Sequence, residues 1–296
     1  MKFRAHDTFA IRKGWLHKGM KHIKDNPRLF IDKNINPMDV LGIGSNMVKA
    51  LRYWLQAFGL TEETGTTQKY QEFTELGQLI WDNDLFMEED GTFCILHYML
   101  ASNKDQATAW YYFFNIYNMN EITKESFVAD IQSYISVEEP ETQVSEKSLG
   151  DDFDCIIKTY FKSNSSDFNP ESNIESPLTE LGLIKLLDKK NKIYSKMAPS
   201  FATINPLVIL AIIIRENGKE KSTDIKISKI EKDPSNIGKI FNLDKIQVAQ
   251  YLDNLQKQGL IKVIRSAGLD IVKLQTRMSF IAVSYTHLRA HETSAH

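Results

Sequence analysis

Pro37–Leu60, PMDVLGIGSNMVKALRYWLQAFGL, is the stretch that most restricts how this chain can fold. Its apolar residues predict a short helix carrying Met38, Val40 and Leu41, a turn at Gly42 and Gly44, and a longer helix. Glycine accepts positive φ at little steric cost, so the turn falls there. Ser45 is placed to cap the second helix through its hydroxyl. Met47, Val48, Leu51, Trp54, Leu55 and Phe58 recur at i, i+1, i+4, i+7, i+8 and i+11, a continuous helical stripe. Gly59 ends it, with Leu60 as the apolar contact beyond. The other face holds Asn46, Lys49, Arg52, Tyr53 and Gln56, and no acidic residue interrupts the helix. Cations neutralise phosphates, and Arg, Asn and Gln can read base edges in a major groove. A helix-turn-helix recognition helix has this pattern. So does an amphipathic helix with a solvated basic face, and such units also bind proteins.

Upstream, Thr8 can cap a helix with Phe9, Ile11, Trp15, Leu16, Met20 and Ile23 on its apolar side. Arg12, Lys13, His17, Lys18, Lys21, His22 and Lys24 give it a basic side that could follow a phosphate backbone, or simply be solvated. Asn26-Pro27 ends it.

HDTFAIRKGWLHKG (His6–Gly19) followed by LGIGSNMVKALRYW (Leu41–Trp54) resembles the opening of a bacterial family called domain of unknown function 4007. That family opens with G-H-E-T-F…R…W-L-x-K and continues with L-G-V-G-K-N-M-V…R-Y-W. Here Ala5 replaces the glycine, Asp7 the glutamate and Ser45 the lysine, which removes one positive charge at the helix start. The resemblance implies no established activity. It implies an association with DNA phosphorothioation and related phage-defence systems.

At 296 residues the chain has room for about two domains. A formal charge of −2 means that any nucleic-acid contact must come from a local patch. Two cysteines, Cys94 and Cys155, make no disulfide framework and suit a reducing cytoplasm. The N-terminus lacks a signal-peptide h-region, and the apolar run Leu207–Ile214 suits a buried helix, far short of the ~20 residues that span a bilayer. The final VSYTHLRAHETSAH (residues 283–296) resembles a sequencing-library adapter translated in frame. Its His287, His291 and His296 are therefore set aside as metal ligands, and the natural C-terminus is expected to be missing.

Thr61–Lys69 reads as a polar loop or wing, and Phe73–Ile80 as a short helix. Asp90-Gly91 signals a turn, followed by a strand over Thr92–Leu100. Cys94 and His97 form a C-x-x-H pair without further ligands, which reads as core. Ala107–Tyr117 could stack on bases but carries few cations, so a core helix is expected. An amphipathic helix over Ile122–Val137, a linker at Glu138–Ser148 and a helix over Leu149–Phe161 follow, then a polar loop at 162–176.

From Pro177 two helices and a break are expected, with Lys189–Lys192 as a basic turn. Asp244 caps a helix with Ile246, Val248, Ala249, Leu252 and Leu255 inward, ended by Gly259. Leu260–Arg265 and Leu269–Leu274 form a hairpin around Ser266-Ala267-Gly268. Helices then hairpin is the order of a winged helix. Lys245, Gln250, Asn254 and Lys257, with Lys262, Arg265 and Lys273 on the wing, would face DNA, though Asp244 and Asp253 weaken that side.

The expected fold is mostly α with short β-hairpins, with helix-turn-helix or winged-helix-like units at both ends. Residues 1–137 form the first unit, 138–176 a linker and connecting helix, and 177–277 the second. No phosphate-binding glycine motif or nucleophile elbow is present, and His6-Asp7 reads as packing or capping. No catalysis, cofactor or metal is expected. The expected DNA-binding residues are Arg12, Lys13, Ser45, Asn46, Lys49, Arg52, Tyr53 and Gln56, with a second set at Lys245, Gln250, Asn254, Lys257 and Arg265. The expected partners are DNA and, beside it, other DNA-modification or defence proteins. An adaptor that binds another defence protein is the rival.

Overall fold

The structure is a computed structural model and describes residues 1–66, 69–162, 175–218, 224–266 and 269–292. Most of the expected loop at 162–176, the Ala267-Gly268 tip and His296 lie outside these residues, as do the side chains of 287–292, His287 and His291 among them.

α1 (Trp15–Asp25) starts later than a Thr8 cap requires. Asp7 and Thr8 have φ of 48° and 68°, whereas an N-cap needs extended backbone, so residues 4–8 turn instead of starting a helix. α2 (Pro37–Leu41) and α3 (Ser45–Ala57) sit where the apolar stripe places them, and Gly42 takes φ 62° between them. Ser45 is not the cap. Extended Gly44 holds that position, and among the described residues no side-chain cap bond closes the start of α3. At the other end Gly59 (φ 65°) donates to the Gln56 carbonyl and Leu60 to the Leu55 carbonyl, both at 2.9 Å, a paired closure of the last turn.

β1 (Thr61–Thr64) and β2 (Tyr70–Phe73) form an antiparallel hairpin directly after α3. α4 (Glu75–Asn83) follows, capped by Thr74. The expected strand at 92–100 is instead helix α5 (Asp90–Ala101). It is buried nearly all round, so its sequence carries no period that separates strand from helix. The buried Asp84 carboxylate accepts from the N–H groups of Glu88 and Glu89 and from Thr92 Oγ1, which folds the approach so that Asp90-Gly91 opens a helix. α6 (Thr108–Asn115), α7 (Lys124–Glu138) and α8 (Glu146–Tyr160) match three expected helices, with α8 starting earlier on its Ser145 cap.

The second half differs at its start. The first of the two expected helices is a short 3-10 turn (Pro177–Leu181) and a hairpin, β3 (Ile184–Asp188) with β4 (Ile193–Lys196). Asp188 accepts from the N–H groups of Lys190 and Asn191 and fixes the tight turn. α9 (Pro206–Asn217) is the expected buried helix. Then come β5 (Asp224–Lys226), α10 (Ile227–Lys232), α11 (Ile237–Ile240), α12 (Lys245–Lys257), β6 (Ile261–Ser266) and β7 (Leu269–Leu274), with the sheet ordered β5-β7-β6. Asp244 and Gln247 close a reciprocal cap on α12. Ile246 does not face inward as expected: it is 70% exposed, and Tyr251 takes the inward position with Val248, Leu252 and Leu255. α13 (Phe280–Glu292) crosses into the stretch set aside from 283 onward, and its Phe280 and Val283 are buried.

One apolar cluster runs through both halves, from Trp54 and Trp110 to Ile212, Phe241 and Leu252. His97 joins them at its centre, with Nε2 donating to the Ile240 carbonyl at 2.8 Å, so Nδ1 accepts from Tyr160 Oη–H, also at 2.8 Å. α11 presses on the end of α10 so closely that a Cβ on Gly238 would lie 2.1 Å from the Glu231 carbonyl oxygen. Backbone cannot yield as a side-chain tip can. Gly238→Ala is therefore expected to cost about 3 kcal/mol in a urea unfolding curve.

Candidate nucleic-acid interface

α3 divides into an open end and a buried body. Ser45, Asn46 and Lys49 are exposed, beside Met38 and Val40 of α2. Ala50, Leu51, Trp54, Leu55 and Ala57 are fully buried, and so, nearly, is Tyr53. The rest of the expected polar ridge is occupied. Arg52 Nε and Nη2 donate to Glu63 Oε1 on β1 at 2.7 and 2.5 Å, and Gln56 Nε2 donates to the same oxygen at 2.6 Å. Burial pushes the Glu63 carboxyl up, but Arg52 and Gln56 outweigh it and hold it below its ordinary value. Arg52 and Gln56 thus serve the α3–hairpin junction, Tyr53 is buried with its ring 6.2 Å from that of His6, and the open patch is Ser45, Asn46 and Lys49. Lys49 lies 3.9 Å from Asp7. Lys13 is exposed, whereas Arg12 lies over the rings of Trp15 and Phe9, its centre 5.2 and 5.9 Å from theirs.

His6 has a partner, and it is not Asp7. Its Nδ1 accepts from the Thr8 N–H at 3.0 Å, so Nε2 carries the proton and donates to Asp152 Oδ1 on α8 at 2.8 Å. Asp152 also accepts from the Arg4 N–H at 2.9 Å. Burial pushes the Asp152 carboxyl above its ordinary value, and His6 and the Arg4 N–H offset that only in part. The two side chains are 0% and 1% exposed, so no substrate reaches them in this state. Trp54 Nε1 donates to the Phe9 carbonyl at 3.0 Å. The HDTF and RYW segments therefore meet as one buried anchor that pins the N-terminal turn against α3 and α8.

α12 is the more open helix. Lys245, Gln250 and Lys257 are exposed and Asn254 is half-buried, its Oδ1 accepting from Gln258. The hairpin stands against it: Val263 N–H donates to Gln256 Oε1 at 2.7 Å, and Arg265 Nη2 lies 3.9 Å from Asp253 Oδ1. Arg265 thus moderates the acidic residue on this face, while Lys262 is exposed and Lys273 pairs with Asp224 at 3.2 Å. Ile246 and Phe201 (45% exposed) add apolar surface, and Phe201 stacks on Tyr251 at 4.5 Å. The sequence reading missed Asp152 and the outward Ile246. Asp152 left no local signal, being 146 positions from His6. Ile246 is the second residue after the Asp244 cap and lies two positions before Val248, about 200° round the helix from the buried stripe.

Two solved structures share the fold. "Magnesium ion-bound SspB crystal structure" is 24% identical at a TM-score of 0.85, covering 98% of this chain and 87% of that one. "SspB crystal structure" is 24% identical at 0.83, covering 99% and 88%. Among the described residues no three His, Cys, Asp or Glu side chains converge as a ready cation cage. No described helix is long and apolar enough to cross a membrane. Comparison with curated proteins gives no significant match. A family model matches residues 3–285, and on that match the chain belongs to the family described as protein of unknown function (DUF4007).

Proposed function

We propose that this is a DNA-binding accessory or regulatory protein whose two ends act as winged-helix-like units, serving DNA phosphorothioation or another phage-defence system. The observation that carries the reading is the open face of α12, with Lys245, Gln250 and Lys257 exposed and the cationic β6–β7 hairpin held against it. A helix of this kind lies in a major groove while its hairpin follows the adjacent backbone. The uncapped N-terminus of α3, with Asn46 and Lys49, supplies a second contact of the same chemistry. The test is Lys245→Glu with Lys257→Glu, far from the core. It is expected to weaken binding to random duplex DNA about 10-fold or more and to lower the salt slope by about two. Unchanged affinity in a folded variant removes α12 from the interface.

A second reading has its own support. The exposed Ile246 and Phe201 on the same side suit a protein partner, which makes the chain an adaptor in a defence complex. On that reading duplex DNA does not bind, and Ile246→Asp abolishes association with the partner.

A further inference from the structure

A cleft of about 550 Å³ lies between the β3–β4 hairpin, the segment joining α6 to α7, and the α10–α11 pair. Four lysines from four elements line it: Lys185 on β3, Lys196 ending β4, Lys232 ending α10, and Lys239 on α11. Its acidic lining residues are Glu121 and Glu231, which leaves an excess of positive charge when all six are ionised. Among the described residues no ion pair engages any of the four lysines. Lys239 Nζ donates to Asn118 Oδ1 at 3.1 Å, and Lys196 Nζ donates to the Tyr117 carbonyl while lying over the rings of Phe113 (5.0 Å) and Tyr117 (5.9 Å).

Cations gathered in excess of the acidic groups around them repel one another, and folding gains nothing from the arrangement by itself. We propose that this cleft is a binding site for a phosphoryl group, held by the half-buried Lys196 and Lys239 with the exposed Lys185 and Lys232 beside them. An ammonium is a point-charge donor, and a phosphoryl group offers several anionic oxygens to separate donors at once. The volume suits an anion from pyrophosphate to a nucleotide. The site lies outside the exposed faces of α3 and α12, so it stands whether or not those helices bind DNA.

Lys196 gives the site a pH signature. Burial, and next the charge of Lys239, bring its ammonium down to about 7. The charged groups lining the cleft around it are Lys185 from β3, Glu231 and Lys232 from α10, Lys239 from α11, and Glu121 ahead of α7. A bound anion favours the protonated amine, so binding takes up a proton and tightens as pH falls from about 8 to about 6.

The test is calorimetric titration of the full chain with pyrophosphate at low salt. The expected result is saturable binding at pH 6.5, with proton uptake shown by buffers of different ionisation heat. Lys239→Gln and Lys196→Met each weaken it at least 10-fold, while Lys190→Gln, on the turn outside the cleft, leaves it unchanged. No binding by a chain that unfolds cooperatively overturns the proposal, and so does equal weakening by Lys190→Gln. Competition then separates the sources. If pyrophosphate displaces duplex DNA, the group is a backbone phosphate. If pyrophosphate binds and duplex is unaffected or does not bind, the group belongs to a free nucleotide or phosphate compound.

Discussion

His97→Ala is expected to lower the unfolding free energy by about 4 kcal/mol in urea at neutral pH. The imidazole is the only side chain bonded to both Tyr160 and Ile240 among the described residues, so its removal strands a buried hydroxyl and a buried carbonyl. It also opens a cavity among Phe114, Tyr160 and Phe241, whose rings lie 4.6, 5.2 and 5.3 Å from the imidazole. The same residue makes stability depend on pH. Burial lowers its pKa from 6.5 to about 4 in the folded chain, the Ile240 hydrogen bond offsetting this in part. A depressed folded pKa gives stability that is full above about 6.5 and lost as pH falls toward about 4, on the order of 3 kcal/mol for this shift. The alanine variant lacks this term, so the gap between it and the natural chain narrows over that window. A gap constant from pH 7.5 to 4 rules out the neutral, doubly bonded imidazole.

His6→Ala is expected to cost about 3–5 kcal/mol. Asp152 then stays buried with the Arg4 N–H as its remaining hydrogen-bond donor, and a lone interior charge is what folded proteins tolerate least. The turn at residues 4–8 depends on the pair as well. Arg4, Asp7 and Thr8 hold φ of 53°, 48° and 68°, conformations that persist only where surrounding contacts fix them. Asp152→Asn keeps the shape and the acceptor, so it is expected to cost less than Asp152→Ala. A His6→Ala variant as stable as the natural chain contradicts the anchor and reopens a chemical role for the pair.

The parts of this fold that the sequence made readable are those built from local signals. α3 and α12 show it together: a helical stripe, then Gly59-Leu60 or Gly259-Leu260, and the same paired closure of the last turn. α9 was readable from its continuous apolar run after Asn205-Pro206. The misreadings fall where period is absent or short. α5 is buried on nearly every side, and β3 and β4 have only five and four residues. The candidate interface residues were half legible. Exposure of Lys49, Lys245 and Lys257 follows from the stripe, but the capture of Arg52 and Gln56 by Glu63 depends on a hairpin folding back onto α3. The lysine cleft left no pattern to read, since Lys185, Lys196, Lys232 and Lys239 meet only through tertiary packing.

The most direct measurement is binding of the full chain to random duplex DNA across a salt series, with Lys49→Glu and the Lys245→Glu, Lys257→Glu pair alongside. The account predicts affinity that falls linearly with salt on logarithmic axes, with the largest loss in the α12 pair and a smaller one for Lys49→Glu. Absence of binding at low salt by a cooperatively folded chain, or binding indifferent to salt, contradicts it and transfers the open face of α12 to a protein partner.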